Sequence, residues 1–436
     1  MQHVHEIRDP IHVFIRMDGD ERRVLDSRPF QRLRHIHQLA TTYLVYPGAT
    51  HRRFEHSLGV MDLASRVFDV VTDPENISDD IKRRLPPISQ SDQRAYWRRI
   101  VRMAALCHDI GHLPFSHAAE RELLPKDWDH ERLTRELISN TEMQEIWASN
   151  RPPLCSEDIV KLAIGPRKAP DLEFSDWEAI LSEIIVGDAF GVDRMDYLLR
   201  DSYHAGVAYG KFDHFRLIDT LRILKIPASD EPALGLEEGG LQSAEALMLA
   251  RYFMYSQVYF HPVRRIYDIH LKDFLKSWHK NGMFSIDLEE HVATTDEEIL
   301  TDLWKQAYDS GAVGHLHARR LVRREHFKMI YERNPDDLDK AAEAGKRVYK
   351  ALKSEFGCDN FRHDQYTQTG GAPDFPVMLR DDNVVSSLRL SNLLRHGPIV
   401  SVDYVFSDRS CFDEAKNWLS DNRKEIIESQ EEEDDE

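Results

Sequence analysis

Hydrophobic positions along this chain first alternate and then settle into helical spacing. Ile11, Val13 and Ile15 alternate with other positions, which predicts a small hairpin or β-arm within residues 1–25. From about Ser27 the spacing turns helical and stays so for most of the way to residue 280, with Asp26 or Ser27 as the cap ahead of Pro29 in the first turn. Residues 76–93 are polar and proline-bearing and read as a loop. Residues 226–240 carry Pro227, Pro232 and the pair Gly239-Gly240, the signal of a loop or hairpin between long helices. A further helical stretch over 296–356 is highly charged and reads as peripheral. Residues 375–379 and 399–406 look strand-like, and an amphipathic helix over 413–427 follows. The pattern predicts a mainly α protein: a helical body over 1–290 with its short N-terminal β-arm, a peripheral charged helical region over 291–370, a small α+β C-terminal unit over 371–428, and an acidic tail over 429–436.

Composition narrows the function classes. A chain of 436 residues, 41% apolar and 31% charged, can bury a sizeable core and suits a water-soluble globular protein. It contains no uninterrupted run of about 18 apolar residues, the length a membrane span needs; the most apolar stretch, 246–260, is broken by Arg251, Ser256 and Gln257. The first five residues lack the basic and apolar blocks of a signal peptide. Cys107, Cys155, Cys358 and Cys411 form no close pair, which argues against disulfides and zinc-thiolate sites and for a reducing, cytoplasmic setting. The net charge of −19 opposes non-specific nucleic-acid binding. The run Glu431–Glu436 reads as a disordered, solvated tail. In so acidic a chain an anionic substrate requires cations clustered locally.

Four segments offer metal-ligating side chains: residues 51–59 (HRRFEHSLG), 104–117 (AALCHDIGHLPFSH), 129–131 (DHE) and 191–197 (GVDRMDY). Adjacent residues on a helix point about 100° apart, so His108 and Asp109 can share one ion only at the helix edge, with further ligands from other helices. His56 and Asp193 can supply them, although Asp188, Asp193, Asp196 and Asp201 lie so close together that spacing does not choose among these carboxylates. A His/Asp mixture suits manganese, iron or magnesium better than a thiolate-selected metal. Such an ion polarises a phosphoryl oxygen and lowers the pKa of bound water. His112 falls one turn after His108 if the helix continues. His117, beyond Pro114, lies past the helix end where it can reach into a cleft, and histidine suits proton transfer near neutral pH. Asp193, Tyr197, Arg200, Asp201 and His204 form one polar helical stripe, as expected of a helix facing a wet, ligand-filled cavity. Arg53, Arg194 and Arg251 are candidate phosphate binders. Plainer explanations compete. A lone His-Asp pair recurs by chance, His3, His5, His35 and His37 read as surface or structural, and Tyr252, Phe253, Tyr255, Tyr259 and Phe260 are by default packing residues. Residue chemistry alone reaches a metal-dependent hydrolase and stops there.

Together the four segments resemble the HD-domain phosphohydrolases, whose motif order is H…HD…D. Asp9-Pro10-Ile11-His12, the run 29–34 (PFQRLR), FEHSLG over 54–59, CHDIGH over 107–112 with PFSH over 114–117, and DRMDY over 193–197 with Arg200-Asp201 are similar to the sterile-alpha-motif and HD-domain dNTP triphosphohydrolases and their bacterial relatives. The resemblance covers about residues 5–270 and is weaker beyond, although 399–406 is similar to the C-terminal unit of bacterial members. No sterile-alpha-motif domain is expected ahead of the HD body, because the chain begins too close to it. The resemblance implies an HD-domain helical body with His56, His108, Asp109 and Asp193 as metal ligands. His112, His117 and His130 match active-site histidines, and Glu120 stands where the family has an aspartate. Arg53, Arg194, Tyr197 and Arg251 match triphosphate contacts, with Arg194 in place of a lysine. Gln38, Leu39 and Asp201 match residues around the sugar 3′-hydroxyl, and Tyr259 the tyrosine that crowds a 2′-hydroxyl; Phe260 replaces a glutamine. Asp26, Gln31 and Arg34 match residues that read an activating guanine nucleotide between subunits, although Arg8 and Glu6 replace the asparagine and valine expected beside Asp9. The implied activity is hydrolysis of a dNTP to deoxynucleoside and inorganic triphosphate by a nucleotide-activated homo-oligomer, a tetramer. Its divalent metal is manganese, iron or magnesium. Alternatives are another phosphoester substrate (phosphodiesterase, 5′-nucleotidase or nuclease) and a nucleotide sensor that does not hydrolyse.

Overall fold

The structure, a computed structural model, describes residues 4–116, 120–279, 281–367 and 373–428. His117 and the acidic tail expected over 429–436 lie outside the described residues. The β-arm is an antiparallel hairpin of β1 (His5–Asp9) and β2 (Val13–Met17), paired from His5↔Met17 to Asp9↔Val13. Alternation sends Ile15 and Met17 inward and leaves Phe14 exposed. Asp9 makes the turn, its Oδ1 accepting the Ile11 and His12 amides at 2.8 Å each.

The first helix begins earlier than the spacing predicts. Asp18 caps the helix Gly19–Asp26 in a reciprocal box with Glu21, so the helix is already complete when the chain reaches Ser27. Ser27 instead separates it from the short helix Arg28–Gln31, and its hydroxyl donates back to the Val24 carbonyl at 2.7 Å. Nor are residues 76–93 a plain loop: they fold into the short helix Asp79–Arg84 and a 3-10 turn, Pro86–Ser89, and the next long helix starts at Ser91.

Contacts divide the chain into two compact units that interleave in sequence. One comprises residues 1–254, 283–299 and 370–397, the other 255–282, 300–369 and 398–436. In the first, the helices Arg53–Val71 and Ser91–Cys107 pack together, with Ser156–Ile164, Asp176–Val186 and Val192–Ala205 around them. The segment 226–240 is the expected hairpin turn: Leu221–Lys225 pairs antiparallel with Pro232–Glu237. Pro376–Met378 then adds in parallel and Val384–Ser386 antiparallel, completing a four-stranded sheet.

In the second unit Ser401–Ser407 lies between Lys328–Glu332 and Phe361–Thr367, antiparallel to both. Val348 and Leu352 of the helix Ala344–Phe356 and Leu419 of Phe412–Glu428 pack on Tyr331, Phe361 and Val405. The strand Lys328–Glu332 falls inside the region expected to be helical. It forms because only Tyr331 of its five residues is buried, and a sheet edge accepts such a segment. The mainly α class holds, and among the described residues no helix is long and apolar enough to cross a membrane.

Candidate metal centre

Three helix ends carry the four expected ligands. His56 lies in the first turn of Arg53–Val71 and Asp193 in the first turn of Val192–Ala205. The helix Ser91–Cys107 stops at Cys107, so His108 is its C-cap and Asp109 follows in a turn. Turn bonds from the Ile110 amide to Cys107 and from the His112 amide to Asp109, both 3.2 Å, replace the helical ladder. That ending removes the 100° obstacle between neighbouring helix residues. It also corrects the placement of His112, which is not one helical turn along the face of His108.

The ligand atoms converge. His56 Nε2 lies 3.0 Å from Asp193 Oδ1 and 3.7 Å from Asp109 Oδ2. His108 Nε2 lies 3.4 Å from Asp109 Oδ1 and 3.5 Å from Asp193 Oδ1. Both rings have their other nitrogen committed: His56 Nδ1–H donates to Asp196 Oδ2 at 2.8 Å, and His108 Nδ1–H to the Ala105 carbonyl at 2.8 Å. Each Nε2 is thereby the nitrogen turned toward the carboxylates, the one that metal-bound histidines use. His108 Nε2 is buried and makes no hydrogen bond among the described residues. An orphaned acceptor among carboxylates is a fit for a divalent cation.

Burial would lower the His56 pKa, but Asp193 and Asp196 outweigh it and push it up to about 10. Burial likewise opposes ionisation of Asp193 and Asp109. His108 and His56 nevertheless hold the Asp193 carboxyl well below its usual range, and Arg53, His108 and His112 do the same for Asp109. A divalent ion bound at His56 Nε2 would displace the proton there.

A second layer went unread in the sequence. Asp196, one of the carboxylates between which spacing did not choose, sits behind His56 and accepts Arg200 Nε at 2.8 Å and Nη2 at 3.0 Å. Arg200 Nη1 also reaches Asp9 Oδ2 at 2.8 Å. Arg200 therefore does not face a wet cavity as the polar stripe suggested; it is fully buried in an ion network. Gly59 permits that packing, since a Cβ there would overlap the Asp196 carboxylate and the Arg200 guanidinium.

Beside the ligands, the His112 and His130 rings stack at 3.9 Å between centroids. His112 Nε2 is 3.1 Å from Asp109 Oδ1, and His130 Nδ1 is 2.6 Å from Glu120 Oε1. Their environments pull them apart. Burial, Arg53 and His130 push the His112 pKa well down; burial also opposes the His130 cation, but Glu120 outweighs it and raises that pKa. Divergent neighbours of this kind suit acid and base roles.

Arg53 is buried and already engaged, donating to Asp109 and, at 2.9 and 2.7 Å, to Ser116 Oγ. Phe115 and Ser116 both take left-handed backbone, with φ of 57° and 55°, where non-glycine residues are strained by about 1 kcal/mol or more. Gln38 Oε1 is buried with no hydrogen-bond partner among the described residues, and Leu39 beside it is buried. Asp201 Oδ1 lies 2.7 Å from His51 Nε2. Arg194 donates to the Gly187 and Asp188 carbonyls. Tyr197 and Arg251 are half-buried on their helices in the same unit, whereas Tyr259 belongs to the second unit, packed edge-on to Tyr255 at 5.0 Å. Asp26, Gln31 and Arg34 stand near one another: Asp26 pairs with Arg22 at 2.8 Å, and Arg34 donates to Gln31 at 2.9 Å over the Phe54 ring.

The second unit has its own cluster, where His270, Asp273 and His317 bring ligand atoms within 4.8 Å of one another. There His270 Nε2 accepts the Phe327 amide at 3.3 Å and Arg362 stands 3.5 Å from Asp273. Its donors and charges suit a hydrogen-bonded cluster better than a cation.

A family profile described as HD domain matches residues 53–200, and one described as HD associated region matches residues 212–361. An uncharacterized protein of Methanocaldococcus jannaschii is 38% identical over 61% of this chain and 48% of its own length. The uncharacterized protein YwfO of Bacillus subtilis is 32% identical over 76% of this chain and 72% of its own. The deoxynucleoside triphosphate triphosphohydrolase SAMHD1 of Bos taurus is 31% identical over 97% of this chain and 70% of its own. The chain thus spans under half of the first of these relatives and about 70% of the other two. A solved structure of a hypothetical protein from Aquifex aeolicus matches with a TM-score of 0.77 at 31% identity, over 96% of this chain and 100% of that one.

Proposed function

The chain belongs to the HD-domain phosphohydrolase family, and from that premise we propose that it hydrolyses deoxynucleoside triphosphates to deoxynucleoside and inorganic triphosphate. The observation that carries this reading is the convergence of His56, His108, Asp109 and Asp193 beside the stacked pair His112 and His130. The Bos taurus relative, a triphosphohydrolase by name, supports the choice of substrate because its similarity runs over nearly all of this chain.

His56, His108, Asp109 and Asp193 would hold a divalent ion, manganese, iron or magnesium. When bound, such an ion supplies Lewis acidity toward a phosphoryl oxygen and lowers the pKa of water. The chain's own groups do the rest. Arg53, held between Asp109 and Ser116, presents a fixed guanidinium to the triphosphate, with Arg194, Tyr197 and Arg251 as further contacts. Gln38, Leu39 and Asp201 meet the sugar near its 3′-hydroxyl. Water oxygen bonds to the α-phosphorus and gives up a proton to solvent, the bond from that phosphorus to the 5′-oxygen breaks with its electron pair left on oxygen, and the 5′-oxygen takes a proton. His117 is that proton donor, with His130 and Glu120 supporting the transfer. A His117→Ala protein with near-native turnover and metal content would remove His117 from this role.

The active form is a homo-oligomer, a tetramer, activated by a nucleotide bound near Asp26, Gln31 and Arg34. A monomer by sedimentation, or full activity without added activating nucleotide, contradicts that part. Substrate choice is tested by chromatography after incubation with manganese and each dNTP, singly and mixed. Deoxynucleoside plus triphosphate is the expected outcome, with mixture-only turnover marking activation. No product from metal-loaded protein would move the substrate to another phosphoester.

A further inference from the structure

Building on the metal reading above, we infer that His12, at the turn of the N-terminal hairpin, is a positioning residue for the metal centre, bracing Asp196 and through it the ring of His56. The His12 side chain is completely buried, and its Nε2 lies 2.6 Å from Asp196 Oδ1. A carboxylate oxygen can only accept, so this nitrogen carries the proton. The same oxygen accepts Arg200 Nη2 at 3.0 Å, while Oδ2 accepts Arg200 Nε and His56 Nδ1 at 2.8 Å each. Two N–H groups on each oxygen saturate the carboxylate.

That saturation fixes the carboxylate plane. His56 Nδ1 meets a stationary Oδ2 only while Oδ1 is held too, and His12 is the partner on Oδ1 that does not come from the helix of Asp196 itself. Arg200 is four residues along that helix and would move with it. His12 ties the carboxylate to a different element.

The turn that presents His12 is itself locked. Asp9 Oδ1 holds the Ile11 and His12 amides, and Asp9 Oδ2 accepts Arg200 Nη1 at 2.8 Å. Asp9, His12, Asp196 and Arg200 thus form a closed ring of contacts. The hairpin supplies none of the four ligands, yet it sets the direction of one of them. Losing the brace frees Asp196 to turn, and His56 then loses the acceptor on Nδ1 that holds its ring with Nε2 toward Asp193 and Asp109.

The test measures manganese affinity by chelator competition on the full-length protein, with folding checked by thermal melting. His12→Phe fills the space without a donor and is expected to weaken binding about 10-fold or more, as outer-shell changes do. His12→Gln places an amide N–H near the Nε2 position and is expected to restore affinity. His12→Asn, too short to reach Asp196, serves where His12→Phe does not fold and is expected to bind weakly. Ile15→Val, on the same hairpin, is expected to lower the melting temperature and leave affinity unchanged. A folded His12→Phe or His12→Asn protein with native affinity overturns the inference, as does a His12→Gln protein no better than either. Native protein that binds no divalent ion overturns both this inference and the metal reading. Native protein that binds manganese without cleaving dNTPs removes only the substrate assignment, and the affinity series then decides the brace alone.

Discussion

At His108 one imidazole nitrogen is committed to a carbonyl and the other stands among carboxylates with no hydrogen bond among the described residues. Such a nitrogen is costly to bury unless something binds it. His108→Ala and Asp193→Asn are therefore expected to lose bound metal and to cut phosphoester hydrolysis by at least about 100-fold, more than outer-shell changes do; metal analysis beside a rate assay checks both. His130→Ala is expected to keep the metal and lower kcat by roughly 100-fold or more, the usual share of a proton-transfer group. Glu120→Gln should act in the same direction but less, because its carboxylate works through His130. These candidate positions could be picked out in the sequence because histidine and carboxylate side chains are recognisable by their chemistry wherever they fall. Asp9, His12 and Arg200 were not legible as a support. Their role arises from contacts across 184 and 191 residues of chain, which spacing cannot encode.

Elements bring those residues together through two close approaches. A Cβ at Gly59 would strike Asp196 and Arg200, and one at Gly111 would strike the His130 carbonyl and the Thr134 amide. Gly59→Ala is expected to destabilise the fold by about 1–3 kcal/mol through overpacking and to weaken metal binding as well; denaturant melts with a metal titration read the two effects. Hydrophobic alternation correctly announced the β1–β2 hairpin, and the prolines and glycines announced the hairpin around residues 226–240. The early end of the Ser91–Cys107 helix carried no such signal. Neither glycine nor proline stands at His108; the stop is made by turn bonds and by Thr134, which takes the Gly111 amide at 3.0 Å and donates to the His108 carbonyl at 3.2 Å. The strand Lys328–Glu332 was hidden because its neighbours are charged and helical, and its partner Ser401–Ser407 lies far along the chain.

At the scale of the whole molecule, a net charge of −19 coexists with guanidinium groups at the centre: Arg53 on Asp109 and Arg200 behind it on Asp196. A bound divalent ion joins ligands that lie up to 137 residues apart, so it is expected to stabilise the folded state by about 2.7 kcal/mol when present at 100 times its dissociation constant. Thermal melts with and without manganese should show that rise, and Asp193→Asn should abolish it. The two interleaved units were not visible from a linear reading, because residues 283–299 and 370–397 rejoin the first unit after the chain has left it. The measurement that bears most directly on the central claim is the divalent-metal content of the purified native protein, compared with that of Asp193→Asn and His108→Ala. About one ion per chain, lost in both variants, is the expected result. Native protein without metal after manganese loading, or variants that retain it fully, would contradict the claim.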